Sequence, residues 1–290
     1  MARITSFFLM ILTIECAAIA KLAGAQEHEL PAYLWDRGTG LPTSIFGSYV
    51  SEGEFIIYPF FEYSIDNNRE YQPAQYGFGA SEDFLAKYRS LDGALFLGYG
   101  LTDWLALEFE AAYMSTTFEK SPADTFSTPE KIKESGFGDI EGQIRWRWLK
   151  EDYHRPEMFS FLEITVPSQK SKMLIGDPDW DLKPGIGMVR GFSWGTMTLR
   201  TDLEYNRESS SLDVGETAVE YLKRLSPSWR LYAAIEGGEG GAPDEWSLIS
   251  GVQWRISDLV TFKFDNSIGI TSKATDCAPQ VGLLFTPRLR

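Results

Sequence analysis

From about residue 50 onward, the chain alternates apolar and polar positions in about twelve short runs, each ending in a turn or a polar loop. The clearest run is 196–206, in which Met197, Leu199 and Leu203 share one parity, whereas the other parity carries threonine, arginine, aspartate and glutamate. Because a strand points successive side chains to opposite faces, this run has one ionic face and one apolar face. The pattern predicts an all-β protein.

The connections between the predicted strands alternate in length. We expect strands at about 54–65, 88–99, 104–117, 137–149, 157–166, 182–190, 195–206, 212–224, 229–237, 245–256, 259–270 and 278–287. Tight links such as 100–103 and 257–258 alternate with longer, more polar ones. The longer connections are 66–87, 118–136, 167–181, 207–211, 238–244 and 271–277.

Two architectures give such alternation. A soluble sandwich would turn its apolar faces inward, whereas a barrel of the bacterial outer membrane would turn them toward lipid and its charges inward. Short periplasmic turns alternating with long external loops are typical of the barrel. Such a sheet must close, because an open edge in lipid leaves backbone groups unpaired. We therefore predict a transmembrane antiparallel β-barrel of about twelve strands, with both termini in the periplasm.

The N-terminus has the features of a secretory signal. Arg3 precedes an apolar core over 5–14, and the small residues Ala23 and Ala25 form a cleavage site before Gln26. The apolar core is too short to span a bilayer as a helix. We predict a signal peptide over 1–25, a periplasmic or lumen-entering segment over 26–52, and an outer-membrane barrel over 53–290.

Composition narrows the candidate functions. The net charge of −14 argues against nucleic acid as a partner, because phosphate contacts require lysine and arginine. Only two histidines, His28 and His154, are present, so a histidine-rich metal site is not expected. After signal cleavage Cys277 would be the only cysteine, which leaves no intramolecular disulfide. Neither histidine maps to the outer rim of the predicted barrel, where a hydrolytic serine would need a base. We expect neither an enzyme nor a cofactor.

Aromatic residues gather near the predicted strand ends, where amphipathic rings would meet the membrane–water boundary. Aromatic side chains are also common in strands generally, which is the alternative explanation. The residues concerned are Tyr99, Trp104, Tyr113, Trp146, Trp148, Tyr205, Trp229 and Trp254.

Two segments carry a family resemblance. The turn 99–103, Tyr-Gly-Leu-Thr-Asp, followed by Trp-Leu-Ala-Leu, resembles a hairpin that recurs in Gram-negative outer-membrane barrels. The strand that begins Gly136-Phe137-Gly138-Asp139 and leads into Arg145-Trp146-Arg147 resembles the outer-membrane family associated with the MetA pathway of phenol degradation. The resemblance implies a porin-like or transporter-like barrel in the outer membrane of a Gram-negative cell, with outer-membrane lipid and the barrel assembly machinery as partners.

The parity opposite the apolar residues carries the charges of the strands, and strand direction orders them by depth. The strand 137–149, which would run from the outside to the periplasm, meets Asp139 and Glu141 first and Arg145 and Arg147 later. The predicted lumen-lining acidic outer half consists of Glu108, Glu110, Asp139, Glu141, Asp202, Glu204, Glu216, Glu220, Glu236 and Glu245. The predicted lumen-lining basic inner half consists of Arg145, Arg147, Arg200, Arg224, Arg230, Arg255 and Lys263.

Two functions fit these charges. The first is an outer-membrane channel or transporter that passes or binds a small solute through a charged lumen, in which the acidic half attracts cations and the basic half controls their passage. The second is a structural or interaction barrel whose lumen is closed by salt bridges. Its external loops would then be the working surface, including 66–87 with Tyr71, Tyr76, Phe78 and Phe84.

Overall fold

The computed structural model describes residues 50, 52–79, 81–169, 171–176, 180–206, 211–238 and 245–287. The predicted signal peptide over 1–25 and nearly all of the segment 26–52 lie outside the described residues. Among the described residues, no helix is long and apolar enough to cross a membrane.

The described residues form twelve strands in one closed sheet. Every strand pairs antiparallel with its neighbours in sequence, and β1 also pairs with β12, which closes the barrel. The strands are β1 (Phe55–Tyr71), β2 (Phe84–Thr102), β3 (Leu105–Glu119), β4 (Lys131–Leu149), β5 (Glu157–Val166), β6 (Asp181–Phe192), β7 (Gly195–Asn206), β8 (Ser211–Arg224), β9 (Trp229–Gly237), β10 (Ser247–Arg255), β11 (Val260–Gly269) and β12 (Ala278–Phe285). A short 3-10 helix over Pro73–Tyr76 lies between β1 and β2.

The two faces of the sheet differ in polarity as the sequence predicts. In β7, Leu199 is 41% exposed, whereas its neighbours Thr198 and Arg200 are 1% and 4% exposed. The same alternation places Leu107 outside and Glu108 inside. A closed sheet with an apolar outer face and a polar inner face suits a lipid surround. The predicted all-β transmembrane barrel is confirmed.

The strands at one wall are longer than the sequence predicts. β1 continues to Tyr71 and β2 begins at Phe84, so the predicted loop 66–87 contracts to 72–83. In β1 the cause is a bulge: its register with β2 shifts between Asp66 and Arg69, with the extra residue on β1. Beyond the extra residue, the positions that faced inward face outward and the reverse. The alternation in the sequence is therefore interrupted there, although the strand continues.

A second bulge has the same effect on the neighbouring hairpin. The register between β3 and β4 shifts between Ala111 and Tyr113. β4 therefore begins at Lys131 rather than near 137, and the connection to β3 contracts to 120–130. These four strands form a wall that stands beyond the other strand ends.

Exposed aromatic rings mark both boundaries of the apolar outer face. At the end with short links, Trp104 and Trp146 meet edge to face with centroids 6.4 Å apart, and Trp229 stacks on Trp254 at 5.6 Å. At the other end, exposed Tyr113 meets Phe137 at 5.5 Å. We call the exposed rings at this second boundary the outer aromatic girdle; they are Tyr63, Tyr113, Phe137 and Tyr205.

Candidate functional site

A cavity of about 660 Å³ lies inside the barrel at the end with long connections. Residues from β1 and β3 line one side and residues from β6 to β12 line the other, so the cavity spans the barrel interior. Its wall is strongly acidic. The charged lining residues are Glu62, Glu110, Asp181, Lys183, Glu204, Glu216, Glu220, Glu236, Glu245, Lys263 and Asp265. We call this space the acidic cavity.

A second space of about 510 Å³ adjoins the acidic cavity and shares Phe60, Glu62 and Lys183 with it. Its lining adds Asp92, Asp139 and Glu141 to the carboxylates. Because opposite walls carry charges of the same sign, the field in this half of the barrel attracts cations.

Arg200 is buried and lies at the centre of a group of ion pairs with carboxylates that line the acidic cavity. Its guanidinium pairs with Glu216, and lies 3.7 Å from Glu236 Oε2 and 3.9 Å from Glu220 Oε1. Arg200 on β7 thus joins side chains from β8 and β9. Arginine suits this position because its planar fork offers five N–H donors to several carboxylates at once.

Two further arginines sit on β4. Arg145 Nη2 lies 3.4 Å from Glu108 Oε2, and its guanidinium carbon lies 4.7 Å from the centre of the Phe159 ring. Arg147 donates to Glu157 at 3.1 Å and to the Asp103 carbonyl. Removing one partner of such a buried pair strands the other charge away from water.

Lys263 and its neighbours continue these contacts on the opposite wall. Lys263 Nζ lies 3.9 Å from Asp265 Oδ2 and 4.9 Å from the centre of the Tyr58 ring. Arg230 on β9 is 0% exposed, and Gln253 on β10 is 1% exposed. Buried side chains from all around the sheet therefore fill the inner half of the barrel.

Apolar side chains occupy part of the interior, a feature that the sequence analysis misses. Val50, Ile56, Tyr58, Phe60 and Phe96 belong to one buried cluster on the wall around β1 and β2. The inward parity of these positions in β1 and β2 could have predicted the cluster. The pattern did not distinguish the two faces because both parities of these strands are apolar.

Two glycines of β6 leave room for aromatic rings of the paired strand β5. A Cβ added at Gly185 or Gly187 would stand 2.1 Å from the ring of Phe161 or Phe159. Phe159, Phe161 and Val189 form a second buried cluster there. Glycine at these two positions of β6 therefore allows the interior to be packed without displacing the sheet.

The structure places the predicted charged residues as follows. Those that are buried are Glu108, Arg145, Arg147, Arg200, Asp202, Glu220, Arg230 and Lys263. Those that are partly exposed are Glu110, Asp139, Glu141, Glu204, Glu216, Arg224, Glu236 and Arg255. Glu245 lies outside the strands and is exposed at the cavity rim, and Arg255 Nη2 donates to Asp258 at 2.8 Å in a short link.

Several charged residues do not follow a strict division into an acidic and a basic half. Glu108, which the sequence assigns to the outer half, contacts Arg145 among the buried basic side chains. Lys183 lies in the acidic cavity, 3.2 Å from Asp181. Inward carboxylates outside the two predicted sets include Glu62, Asp92, Glu157, Glu163 and Asp181. Their position on the inward parity of the predicted strands could have identified them as lumen-facing.

Three aromatic residues of the predicted loop 66–87, Tyr71, Tyr76 and Phe84, form a small core between the protruding hairpins. Tyr71 packs against Phe118 at 4.9 Å and Phe84 at 5.8 Å, and Tyr76 packs against Phe118 at 5.1 Å. The Tyr71 hydroxyl donates to buried Asp124 at 2.8 Å. These rings tie the two hairpins together.

The carboxylate of Asp124 is held ionised in this core. Burial disfavours the charge, but hydrogen bonds from the Tyr71 hydroxyl and the Phe126 N–H outweigh it and lower the pKa of Asp124. At the opposite end of the barrel, Asp152 in the link between β4 and β5 accepts from Arg155, which lowers the pKa of Asp152 to about 2.

Comparison with solved structures places this fold among outer-membrane barrels. The chain is similar to an outer-membrane channel from Pseudomonas putida F1, with a TM-score of 0.59 and 14% identity over 82% of this chain and 97% of that one. It is also similar to the translocator domain of the autotransporter NalP from Neisseria meningitidis, with a TM-score of 0.52 and 9% identity over 82% and 89%. No family model and no curated protein matches the chain.

The closed sheet, its apolar outer face and its aromatic boundaries define the class of protein. The chain is a transmembrane β-barrel of the Gram-negative outer membrane. At these sequence identities the solved structures show the fold, and the function is argued below from the interior.

Proposed function

We propose that the protein is an outer-membrane channel or transporter that takes a small solute into the barrel interior from the outside. The acidic cavity is the observation that carries this proposal: about 660 Å³ of space lies between opposite walls. That volume falls in the range of small-molecule sites, which is about 300–1,000 Å³. We propose no covalent chemistry on the solute.

The charge of the cavity selects the solute. Glu62 and Glu110 on one side of the space lie across from Glu204 on the other, and Lys183 and Lys263 are the lysines among its lining residues. Such a vestibule concentrates cations, or the cationic group of a larger solute. The buried arginines below, with Arg200 at their centre, then control onward passage.

The resemblance to the family associated with the MetA pathway supports a transport role. Its two segments map to the hairpin joining β2 to β3 and to β4, where Asp139 lines the outer space and Arg145 and Arg147 lie buried. The solved Pseudomonas putida barrel is itself an outer-membrane channel. We propose membership of that family as the finer assignment.

Ion selectivity in a planar bilayer tests the proposal. The refolded barrel should conduct, and its reversal potential in a KCl gradient should show cation preference at low salt that fades as salt rises, because the screening length falls to about 10 Å at 0.1 M. The double substitution Glu141→Gln with Glu204→Gln should weaken the preference. The matched control is Glu52→Gln with Glu82→Gln, two exposed carboxylates outside the strands, which should leave it unchanged. Anion preference, or equal effects of both pairs, would contradict the proposal.

A second function is favoured by the packing of the inner half. Arg145, Arg200 and Arg230 are each at most 4% exposed, and apolar side chains fill the neighbouring wall. An interaction barrel closed by these contacts would be silent in the bilayer. In that case the pair Glu216→Gln with Glu220→Gln would remove two of the three carboxylates around Arg200 and cost several kcal/mol in an unfolding titration, because a buried charge would lose much of its compensation.

A further inference from the structure

A basic patch lies on the outward face of the protruding wall, beyond the outer aromatic girdle. It consists of Lys87 and Arg89 on β2 and Lys131 and Lys133 on β4. Lys87, Lys131 and Lys133 are exposed, as are the apolar girdle residues on the same parity of these strands. Lys133 lies four residues beyond Phe137, which is about 10 Å along the barrel axis at an ordinary strand rise and tilt.

The strand register brings the four cations together. Arg89 pairs across the sheet with Thr117, and Thr117 pairs with Lys133. In the next row, Lys87 pairs with Glu119, and Glu119 pairs with Lys131. Directly opposite residues stand about 5 Å apart in a sheet, so the patch is compact. Glu119 is the carboxylate within these rows and forms an ion pair with Lys131, so the net positive charge of the patch comes from Lys87, Arg89 and Lys133.

The patch is separate from the ion pairs of the barrel interior. The inward neighbours of its residues include Tyr88, Ser90 and Ile132, which carry no charge. The inward carboxylate beside Lys133 is Glu134, which accepts from the N–H groups of Met173 and Leu174. Arg89 is fixed by donating at 2.7 Å to the carbonyls of Asp66 and Tyr88 and at 2.6 Å to Asn67 Oδ1. None of these acceptors is a carboxylate, so the positive charge of Arg89 is held in place but not neutralised by them.

A cationic surface at this position can bind anionic groups that lie at the boundary between membrane and water. The chain as a whole carries a net charge of −14, so general solubility does not explain four cations on one face. The patch adjoins the apolar, lipid-facing surface, where the headgroups of outer-leaflet lipids lie. Lysine and arginine bind phosphate strongly, and the hydroxyls of Ser115, Thr117 and Ser135 on the same face can donate to phosphate oxygens.

We propose that the basic patch binds the phosphate groups of the outer-leaflet glycolipid, lipid A, and so ties the protruding wall to the membrane surface. The inference rests on the orientation in which the long connections are external. It is independent of the proposed transport function, since none of its residues lines the acidic cavity.

Lipid binding to the refolded full-length barrel in a neutral detergent tests the patch. The probes are diphosphoryl lipid A, the same lipid with both phosphates removed, and phosphatidylglycerol. Diphosphoryl lipid A should bind at least tenfold more tightly than either of the other two, and added salt should weaken its binding. Equal binding of the phosphorylated and dephosphorylated lipids would overturn the proposal, as would equal binding of phosphatidylglycerol.

Two matched variants locate the site. The patch variant is Lys87→Gln with Lys133→Gln, which spares Arg89 because its hydrogen bonds support the bulge of β1. The control is Lys150→Gln with Lys172→Gln, which removes the same charge from connections elsewhere. The patch variant should lose at least tenfold in affinity for diphosphoryl lipid A, and the control should keep it. Equal affinities of the patch variant and the control for diphosphoryl lipid A would place the binding site elsewhere. If the patch variant does not fold, the comparison of the three lipids on the unaltered barrel decides the proposal.

Discussion

At the scale of single residues, the account depends on which face each side chain takes. Leu199 lies at the middle of β7 and is 41% exposed on the outer face. Substitution of Leu199 by arginine should therefore cost about 2–4 kcal/mol in a folding titration into lipid vesicles, the penalty for a cation on the lipid face near the midplane. Substitution of Leu107, 41% exposed on β3, should cost a similar amount.

Ser267→Arg is the control for these substitutions. Ser267 lies on the inward face of β11 and lines the acidic cavity, where an arginine would meet carboxylates rather than lipid. Its cost should be much smaller than that of Leu199→Arg. Comparable losses at the two positions would mean that the outer face of the barrel does not meet lipid.

A second residue-scale prediction concerns Asp124 and its pH dependence. The folded state lowers the pKa of Asp124, so its stabilisation of the connection 120–130 is fully present above the unfolded pKa of about 4. It is lost as the pH falls through the lower, folded-state pKa. The protection of the Phe126 amide against hydrogen exchange should drop in the same range, because this N–H donates to Asp124 at 2.8 Å.

Two variants check that assignment. Tyr71→Phe removes the hydroxyl that donates to Asp124 and should lower the local opening free energy by about 1–3 kcal/mol. In Asp124→Asn the acid-induced loss of protection should vanish. Protection that falls equally with acid in Asp124→Asn would show that another group is responsible.

At the scale of elements, the sequence predicts strands well where alternation is unbroken. The predicted strands 157–166, 195–206 and 229–237 have the same bounds as β5, β7 and β9 in the structure. β1 and β4 were predicted too short because bulges reverse the parity, as between Asp66 and Arg69. A bulge depends on pairing between two strands, so neither strand reveals it alone.

The elements also fix an expected topology. The connection 72–83 should lie outside the cell and the link at Asp103 in the periplasm, because the long and short links alternate around the barrel. Cysteine introduced at Ser81 should react with a membrane-impermeant maleimide on intact cells, whereas cysteine at Asp103 should react only after the outer membrane is opened. Both positions are exposed, and a cysteine-free background is obtained by replacing both Cys16 and Cys277. The reverse labelling pattern would mean that the barrel has the opposite orientation in the membrane.

At the scale of the whole molecule, parity and strand direction predict much of the interior but not its packing. They bring Arg200 close to Glu216 and Glu220, which lie on the neighbouring strand at a similar depth in the barrel. They do not predict the apolar cluster around Tyr58 and Phe96, because that wall is apolar on both faces and alternation cannot tell its faces apart. How far the inner half is filled follows from side-chain size across the barrel, which no single strand encodes.

The central claim is that a solute enters the acidic cavity from the outside. The most direct measurement is the block of single-barrel current by an organic diamine, 1,6-diaminohexane, added to one side of a planar bilayer. Addition to the external side should block the current at concentrations at least tenfold lower than addition to the periplasmic side, because the carboxylates gather at the outer end and the buried arginines lie beyond them. The double substitution Glu141→Gln with Glu204→Gln should reduce the external block. A barrel that passes no current, or that is blocked equally from both sides, would contradict the account.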